Sequence, residues 1–411
     1  MEGKVSKDIL SEKQLQYIVS RMTKPGSQII GFDVKPASEE LAGFLGEHLR
    51  MNLCVKEVNS LRKIHLFIKT VPTANLPKAE FIERNQFFKK EALVFQIFDE
   101  IQDMDCVNPW CTRAVIYTDK LIVMPDLAVQ GYRTHPTQIY FDRDHVTVVV
   151  SSLARLHAAF ANYFTKRNQS RPHFLEENYF FNDEFFGDAP WLIPAAKVTY
   201  NVLKEFSSKS NDFPPDLEDK LSTLFIEAYG MLNNNEDVLN VVIHKDLWAN
   251  NILFQYAANV PINAVLVDYQ LSRYAPPAFD LMSLLYMTTS RTFRGAHEAE
   301  VLQHYYEVFS ESLNDATKKR LKNLNYDFDE FRKWCERARV FGLVQANTTL
   351  PCVCMDAAAA QRTFDDPHTY VEHLTGDRSA PLVAHAGDNV QYRLRLLEVS
   401  EELVEKYVLK I

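Results

Sequence analysis

Two short apolar runs, each ending in an acidic turn, constrain this chain more than any other feature. Val241-Val242-Ile243 leads into His244-Lys245-Asp246-Leu247-Trp248-Ala249-Asn250-Asn251, and Ala264-Val265-Leu266-Val267 stops on Asp268-Tyr269-Gln270. Apolar, β-branched runs of this length, bounded by polar turns, read as strands. Ile252-Leu253-Phe254 is also strand-like, and a loop holding Asn259 and Pro261 joins it to the second run. The expected unit is a hairpin with Asp246 and Asn251 at its entry and Asp268 at its exit. Three oxygen-bearing side chains then meet at one end of two adjacent strands. That arrangement can hold a hydroxyl beside a hard cation, and the chemistry it predicts is metal-assisted phosphoryl transfer.

Within that chemistry Asp246 is the candidate base, accepting or orienting the proton of an attacking hydroxyl. Asn251 and Asp268 are the candidate Mg2+ ligands, with ATP oxygens completing the shell. His244 is expected to brace the loop by hydrogen bonding. Asp280, behind Pro276-Pro277, reads either as a helix N-cap or as a brace reaching back to the His244–Asp246 turn.

A chain of 411 residues is long enough for two lobes with a sizeable core. Its 46% hydrophobic and 24% charged content describes an ordinary folded protein. The net charge of −9 argues against nucleic acid as the main partner. No apolar run approaches the roughly eighteen residues of a membrane span, and the first residues lack the apolar core of a signal peptide. Six cysteines are too few for a disulfide framework in so long a chain. Cys352, Cys354, Cys106 and Cys111 read as reduced, mostly buried thiols, and a cytoplasmic location is expected.

Along the chain, Ser11-Glu12-Lys13-Gln14 is a capping box opening a helix to about Met22. Gly26 and Gly31 mark loops. Arg50–Val58 and Leu61–Thr70 read as strands around an Asn59-Ser60 turn, and a helix is expected from Ala79 to about Gln102. On that helix Glu91 shares the face of Phe88, Ala92 and Phe95. A carboxylate there needs a cation. Lys69, ending its strand, is one candidate; Lys89, Lys90 or an edge position are the alternatives. Two more strands, Thr112–Tyr117 and Leu121–Met124, end at Pro125. Beyond Leu127 the pattern is mainly helical, with a long helix from Asp142 to about Thr165 carrying a core histidine, His157. An aromatic and acidic loop follows at 168–190, and the pattern weakens between Cys352 and Gly387. The fold class is α+β: an antiparallel-sheet lobe with one helix, residues 1–127, and a larger, mainly helical lobe, residues 128–411.

His-x-Asp-x-Trp-x-x-Asn at 244–251, Leu-Val-Asp-Tyr-Gln at 266–270 and Pro-x-x-Asp-Leu at 277–281 resemble the choline/aminoglycoside-kinase-like group of small-molecule kinases. Within it, the insect ecdysteroid-kinase-like family is most similar, from Gly43-Phe44-Leu45-Gly46-Glu47 to the C-terminal helices. The resemblance implies a two-lobed protein-kinase-like fold and transfer of the ATP γ-phosphate to a small-molecule hydroxyl. It further implies that Lys69 contacts the ATP phosphates, that Glu91 anchors Lys69, and that Met124, Asp126 and Leu127 belong to an adenine-holding hinge. Asp280 becomes the loop brace. Four positions depart from the family pattern. No Gly-x-Gly-x-x-Gly loop is present, which leaves phosphate cover to another turn near Gly43–His48. Tyr269 replaces Phe, Pro125 removes a hinge N–H, and Lys245 stands where glycine is frequent. The implied acceptor is steroid-like (ecdysteroid) or a xenobiotic alcohol. A choline- or ethanolamine-type amine, caged by the 168–190 loop, and a non-catalytic pseudokinase are the alternatives.

Overall fold

Residues 9–38, 45–101, 107–137, 139–170, 189–232 and 237–410 are described by the computed structural model. Helix α1 (Glu12–Met22) starts at the expected capping box, with the Ser11 N–H donating to the Gln14 side chain at 2.8 Å. It lies against a five-stranded antiparallel sheet of order β1-β2-β3-β5-β4. The strands are β1 (Gln28–Pro36), β2 (Glu47–Lys56), β3 (Leu61–Thr70), β4 (Ile116–Tyr117) and β5 (Leu121–Pro125). Alternate residues of β2 and β3 point inward, so Leu49, Met51, Leu53, Ile64, Leu66 and Ile68 join Leu15, Ile18 and Val19 in one apolar cluster.

Two sequence expectations change here. Gly31 is not in a loop: it sits inside β1, at a register shift between Ile29 and Gly31, where an irregular strand favours glycine. The single helix expected from Ala79 is two, α2 (Leu76–Arg84) and α3 (Phe87–Glu100). Gln86 between them has φ 54°, a left-handed residue that no continuous helix can contain. The inward face of α3 is as expected, burying Phe88, Glu91 and Phe95.

The remainder is mainly helical. After the strand β6 (Tyr132–Arg133) come α4 (Arg143–Ser170), α5 (Ala189–Phe206) and α6 (Leu217–Gly230). The central strands are β7 (Val241–Ile243), β8 (Ile252–Ala257), β9 (Val260–Leu266) and β10 (Arg273–Ala275). Helices α7 (Ala278–Thr288), α8 (Arg291–Glu311), α9 (Asp315–Asn323) and α10 (Phe328–Val353) follow. The weakly patterned stretch holds three short helices, α11 (Ala357–Phe364), α12 (Tyr370–Thr375) and α13 (Ser379–Asp388), before α14 (Val390–Leu403). Every residue of α7 is buried. Its tight seat against α10 depends on Gly342, where an added Cβ would lie 2.7 Å from a Tyr286 ring carbon.

Strands β8 and β9 form the expected hairpin. Its turn is Ala258-Asn259, both left-handed at φ 48° and 67°, the twist that two-residue hairpin turns favour. Pro261 lies within β9 rather than in the loop, beside a register shift at Gln255/Tyr256. Strand β7 does not join the hairpin; it pairs antiparallel with β10, which sequence reasoning did not anticipate. Cys111, Cys335 and Cys352 are buried free thiols. Among the described residues no helix is long and apolar enough to cross a membrane.

Candidate active site

Lys69 ends its strand pointing inward, and only 3% of its surface is exposed. Its Nζ lies 2.6 Å from Glu91 Oε2, 2.8 Å from Asp268 Oδ1 and 3.0 Å from Gln270 Oε1. The Lys69–Glu91 pair is therefore formed, rather than one with Lys89 or Lys90. Burial works to lower the lysine, but the Asp268 and Glu91 carboxylates outweigh it and hold Lys69 above its ordinary value. For Glu91 the balance runs the other way: burial raises it and Lys69 pulls it down. We assign the ion pair, because Glu91 also accepts the Tyr269 N–H at 3.2 Å and a fully desolvated ammonium needs its anions.

The 244–251 turn is held from below. Asp280, fully buried in the first turn of α7, accepts the His244 N–H at 2.5 Å and the Lys245 N–H at 2.7 Å. It is a brace and not the N-cap, a position Pro277 occupies. His157 completes the arrangement, with Nε2 3.1 Å from Asp280 and Nδ1 2.7 Å from the Tyr305 hydroxyl. This core histidine thus supports the loop from α4. His244 Nε2 faces the Val267 carbonyl at 2.9 Å, and its Nδ1 accepts the Asp246 N–H at 3.3 Å. These contacts fix one neutral tautomer, and burial keeps the imidazole below its ordinary value. The ring ties the 244–251 turn to the end of β9, as a brace should.

Asp246 and Asn251 meet at the hairpin entry. The Asn251 amide donates to both Asp246 O, at 2.9 Å, and Asp246 Oδ2, at 3.0 Å. The Trp248 side chain adds a further hydrogen bond to the carboxylate. Asn251 O accepts the Val267 N–H at 3.0 Å, which brings Asp268 alongside. Asp246 keeps part of its surface open to a cavity, yet desolvation by its surroundings and the nearby Asp268 charge push it up to about 7. A carboxylate poised there is suited to accept a proton near neutrality. Asp268 is left-handed at φ 71°, and Gln270 Nε2 donates to its second oxygen at 3.2 Å.

All of these side chains except the buried braces border one cavity of about 600 Å3. Leu45, His48, Phe67, Met124, Pro125, Asp126 and Leu127 from the sheet-bearing part line it, together with Lys69, Asp246, Asn251 and Asp268. The helical part contributes further walls, among them Tyr229, Gln345, Thr349, Val353, Ala357, Phe364 and Leu374. Asp126 borders the cavity, but its groups have protein partners. Its N–H donates to His65 O, its carboxylate accepts the Ala128 N–H at 3.0 Å, and it pairs with Arg50 at 3.1 Å. Met124 is paired with Phe67 in the sheet. Of the turn expected to cover phosphates, Gly43 lies outside the described residues. Gly46, at φ 88°, packs on Lys69, and burial with the neighbouring lysine pushes His48 down to about 4.

A model of the ecdysteroid kinase-like family matches residues 40–318. The chain belongs to that family. The match ends within α9, short of the C-terminal helices to which the motif resemblance extends, and residues 319–411 lie beyond it. By family it is a small-molecule kinase. No curated sequence is significantly similar. Among solved structures, a Plasmodium vivax ethanolamine kinase aligns with 12% identity and a TM-score of 0.44, covering 98% of this chain and 91% of that one. A GDP and kanamycin complex of APH(2")-IIia aligns at 10% identity and 0.31, covering 90% and 99%. A microcompartment-associated aminopropanol kinase aligns at 11% and 0.27, covering 88% and 100%.

Sequence reasoning missed the supports that come from far along the chain. Gln345 on α10 donates to Lys245 O at 3.2 Å and accepts the Tyr229 hydroxyl; a glutamine inside a helical pattern carries no local signal of that role. A second group with metal-ligating atoms, His135, Asp142 and His145, gathers within 4.8 Å. Its hydrogen bonds account for it as the cap of α4: Asp142 accepts the His145 N–H at 3.0 Å and lies 2.7 Å from Nδ1, and Tyr256 meets Nε2 at 3.0 Å.

Proposed function

We propose that the chain transfers the γ-phosphate of ATP to a hydroxyl of a neutral, largely apolar acceptor, a steroid-like (ecdysteroid) or xenobiotic alcohol. Residues 1–127 form the nucleotide-binding lobe and 128–411 the catalytic and substrate-binding lobe. The observation that carries the reading is the convergence of Asp246, Asp268 and the Lys69–Glu91 pair on one cavity. In it, Asp246 takes or orients the hydroxyl proton, and a value near 7 suits that task. Lys69 is the cation for the nucleotide phosphates, and the wall around Met124 and Leu127 receives the base.

The residues fit magnesium. Asp268 offers carboxylate oxygens, and Asn251 commits its NH2 to Asp246, so its amide oxygen is the atom it would offer; an all-oxygen set of this kind suits a hard cation. The ion, when bound, neutralises charge on the β- and γ-phosphates. Asp280, His244 and His157 do no chemistry in this scheme and fix the base in place.

A neutral acceptor is favoured because the carboxylates among the described residues that line the cavity are Glu91, Asp126, Asp246 and Asp268, each already taken by an ion pair, the base or the metal site, which leaves a choline- or ethanolamine-type cation only aromatic faces to bind. The 171–188 part of the acidic loop lies outside the described residues. The test is thermal stabilisation by ATP with and without Mg2+, joined to mass detection of phosphate addition to hydroxylated steroids. Asp246→Asn should keep magnesium-dependent nucleotide binding and lose turnover, whereas Asp268→Ala should lose both. Turnover by Asp246→Asn at the wild-type rate would sink the assignment, and nucleotide binding without any transfer would favour a pseudokinase.

A further inference from the structure

Lys245 occupies a position that strains a lysine. Between His244 and Asp246 it adopts φ 68°, a left-handed conformation that glycine takes freely and other residues adopt at a cost. It is also buried, with 3% of its surface exposed, although lysine is among the residues least often found inside. Its backbone is clamped from both sides, the N–H by Asp280 and the carbonyl by Gln345. The side chain is thereby aimed across the cavity wall, with Nζ 5.2 Å from the centre of the Tyr229 ring. Tyr229 is fixed in turn by donating its hydroxyl to Gln345. Lysine, tyrosine and glutamine all border the cavity beside Asp246. The aromatic face that a substrate ammonium would use for a cation–π contact is therefore taken by the protein's own ammonium.

We propose that Lys245 is a specificity-determining residue that excludes alcohols carrying an ammonium group, leaving the site to neutral hydroxyl compounds. The assignment of this wall to the acceptor rests on the kinase reading above. A cationic acceptor would have to displace Lys245 from Tyr229 and bring a second positive charge beside it, whereas a neutral alcohol meets the lysine stem and the surrounding apolar wall.

The test compares a hydroxylated steroid with the same skeleton carrying a primary amine. Binding is measured by calorimetry with Mg2+ and a non-hydrolysable ATP analogue. Wild type should bind the neutral compound about tenfold more tightly or better, the scale of one desolvated cation–π contact. Lys245→Met, which keeps the bulk, should bring the two compounds within about threefold of each other. Adding Tyr229→Leu to Lys245→Met should weaken the amine again, which a merely structural lysine would not predict. Lys245→Gly suits the left-handed backbone and supplies a folded second variant with the same expected loss of selectivity. Equal binding of both compounds to wild type would overturn the proposal, as would an unchanged ratio in both lysine variants or failure of the neutral compound to bind. Turnover of the same compounds separates the two readings. A binding preference without phosphate transfer removes the kinase assignment alone, and wild-type transfer to the amine at the neutral compound's rate removes the filter alone.

Discussion

Replacing Asp246 with asparagine should stabilise the protein increasingly as the pH rises from 5 to 8. Burial and the Asp268 charge raise the carboxyl from 3.8 to about 7 in the folded state. The folded chain therefore holds this proton across a window in which the unfolded chain has released it. The proton-linked stabilisation is complete below 3.8 and is lost as the pH climbs through about 7. At about 1.4 kcal/mol per unit, the loss accruing between pH 5 and 8 is roughly 2.5 kcal/mol. Because the carboxylate retains some contact with solvent, that figure is an upper limit. Asparagine keeps an oxygen to accept from Asn251 and Trp248, so the hydrogen bonds survive the change. With an unfolding entropy of about 2.1 cal/mol/K per residue, 411 residues translate this into a gain of up to about 3 °C in Tm at pH 8 relative to pH 5. Thermal unfolding of the two proteins in matched buffers at pH 5, 6, 7 and 8 measures it. A difference that does not change with pH, or one that turns against the variant as pH rises, would refute the assignment of a raised carboxyl to this site.

Other perturbations follow from the geometry. Lys69→Met leaves the fully buried Glu91 without its cation and should lower stability by about 3–5 kcal/mol. Adding Glu91→Leu should restore much of that loss in urea unfolding, and no recovery would contradict a buried ion pair. Gly342→Ala places a Cβ 2.7 Å from Tyr286 and 2.9 Å from Met282 O, and overpacking against backbone should cost about 1–3 kcal/mol by the same measurement. Ala258→Asn puts a residue tolerant of left-handed backbone at φ 48° in the exposed hairpin turn. It should raise stability by roughly 0.5–1 kcal/mol, read as a higher Tm with activity unchanged.

How much of this was legible in the sequence depended on how local the cause was. The hairpin, the α1 capping box and the apolar face of α3 follow from spacing alone, since each is decided within a few residues. Strand β1 was not legible. Gly31 and the mixed pattern around it hide a strand that exists because β2 needs a partner edge, and a tertiary demand of that kind overrides propensity. The break in the helix at Gln86 was equally hidden, because glutamine carries no signal for left-handed backbone. In the 352–387 stretch three short helices each bury only a few residues, too few to impose a period.

The site divides along the same line. Asp246, Asn251 and Asp268 could be read because both strands deliver them, whereas the reason they stay in place could not. Lys245 and Asp268 are both left-handed at φ 68° and 71°, and non-glycine residues remain so only where their surroundings over-determine them. For Lys245 the determination comes from Asp280, whose two oxygens each hold one amide of the turn. For Asp268 it comes from Lys69 on one oxygen and Gln270 on the other. Each anchor lies at least two residues, and in the case of Lys69 nearly two hundred, from the residue it constrains. A motif read as a string shows which side chains meet. The strain at its two key positions, and the buried charges that hold that strain, become visible only once the sheet, the hairpin and α7 are packed together, and it is there that the choice of Asp280 as brace rather than cap acquires its physical reason.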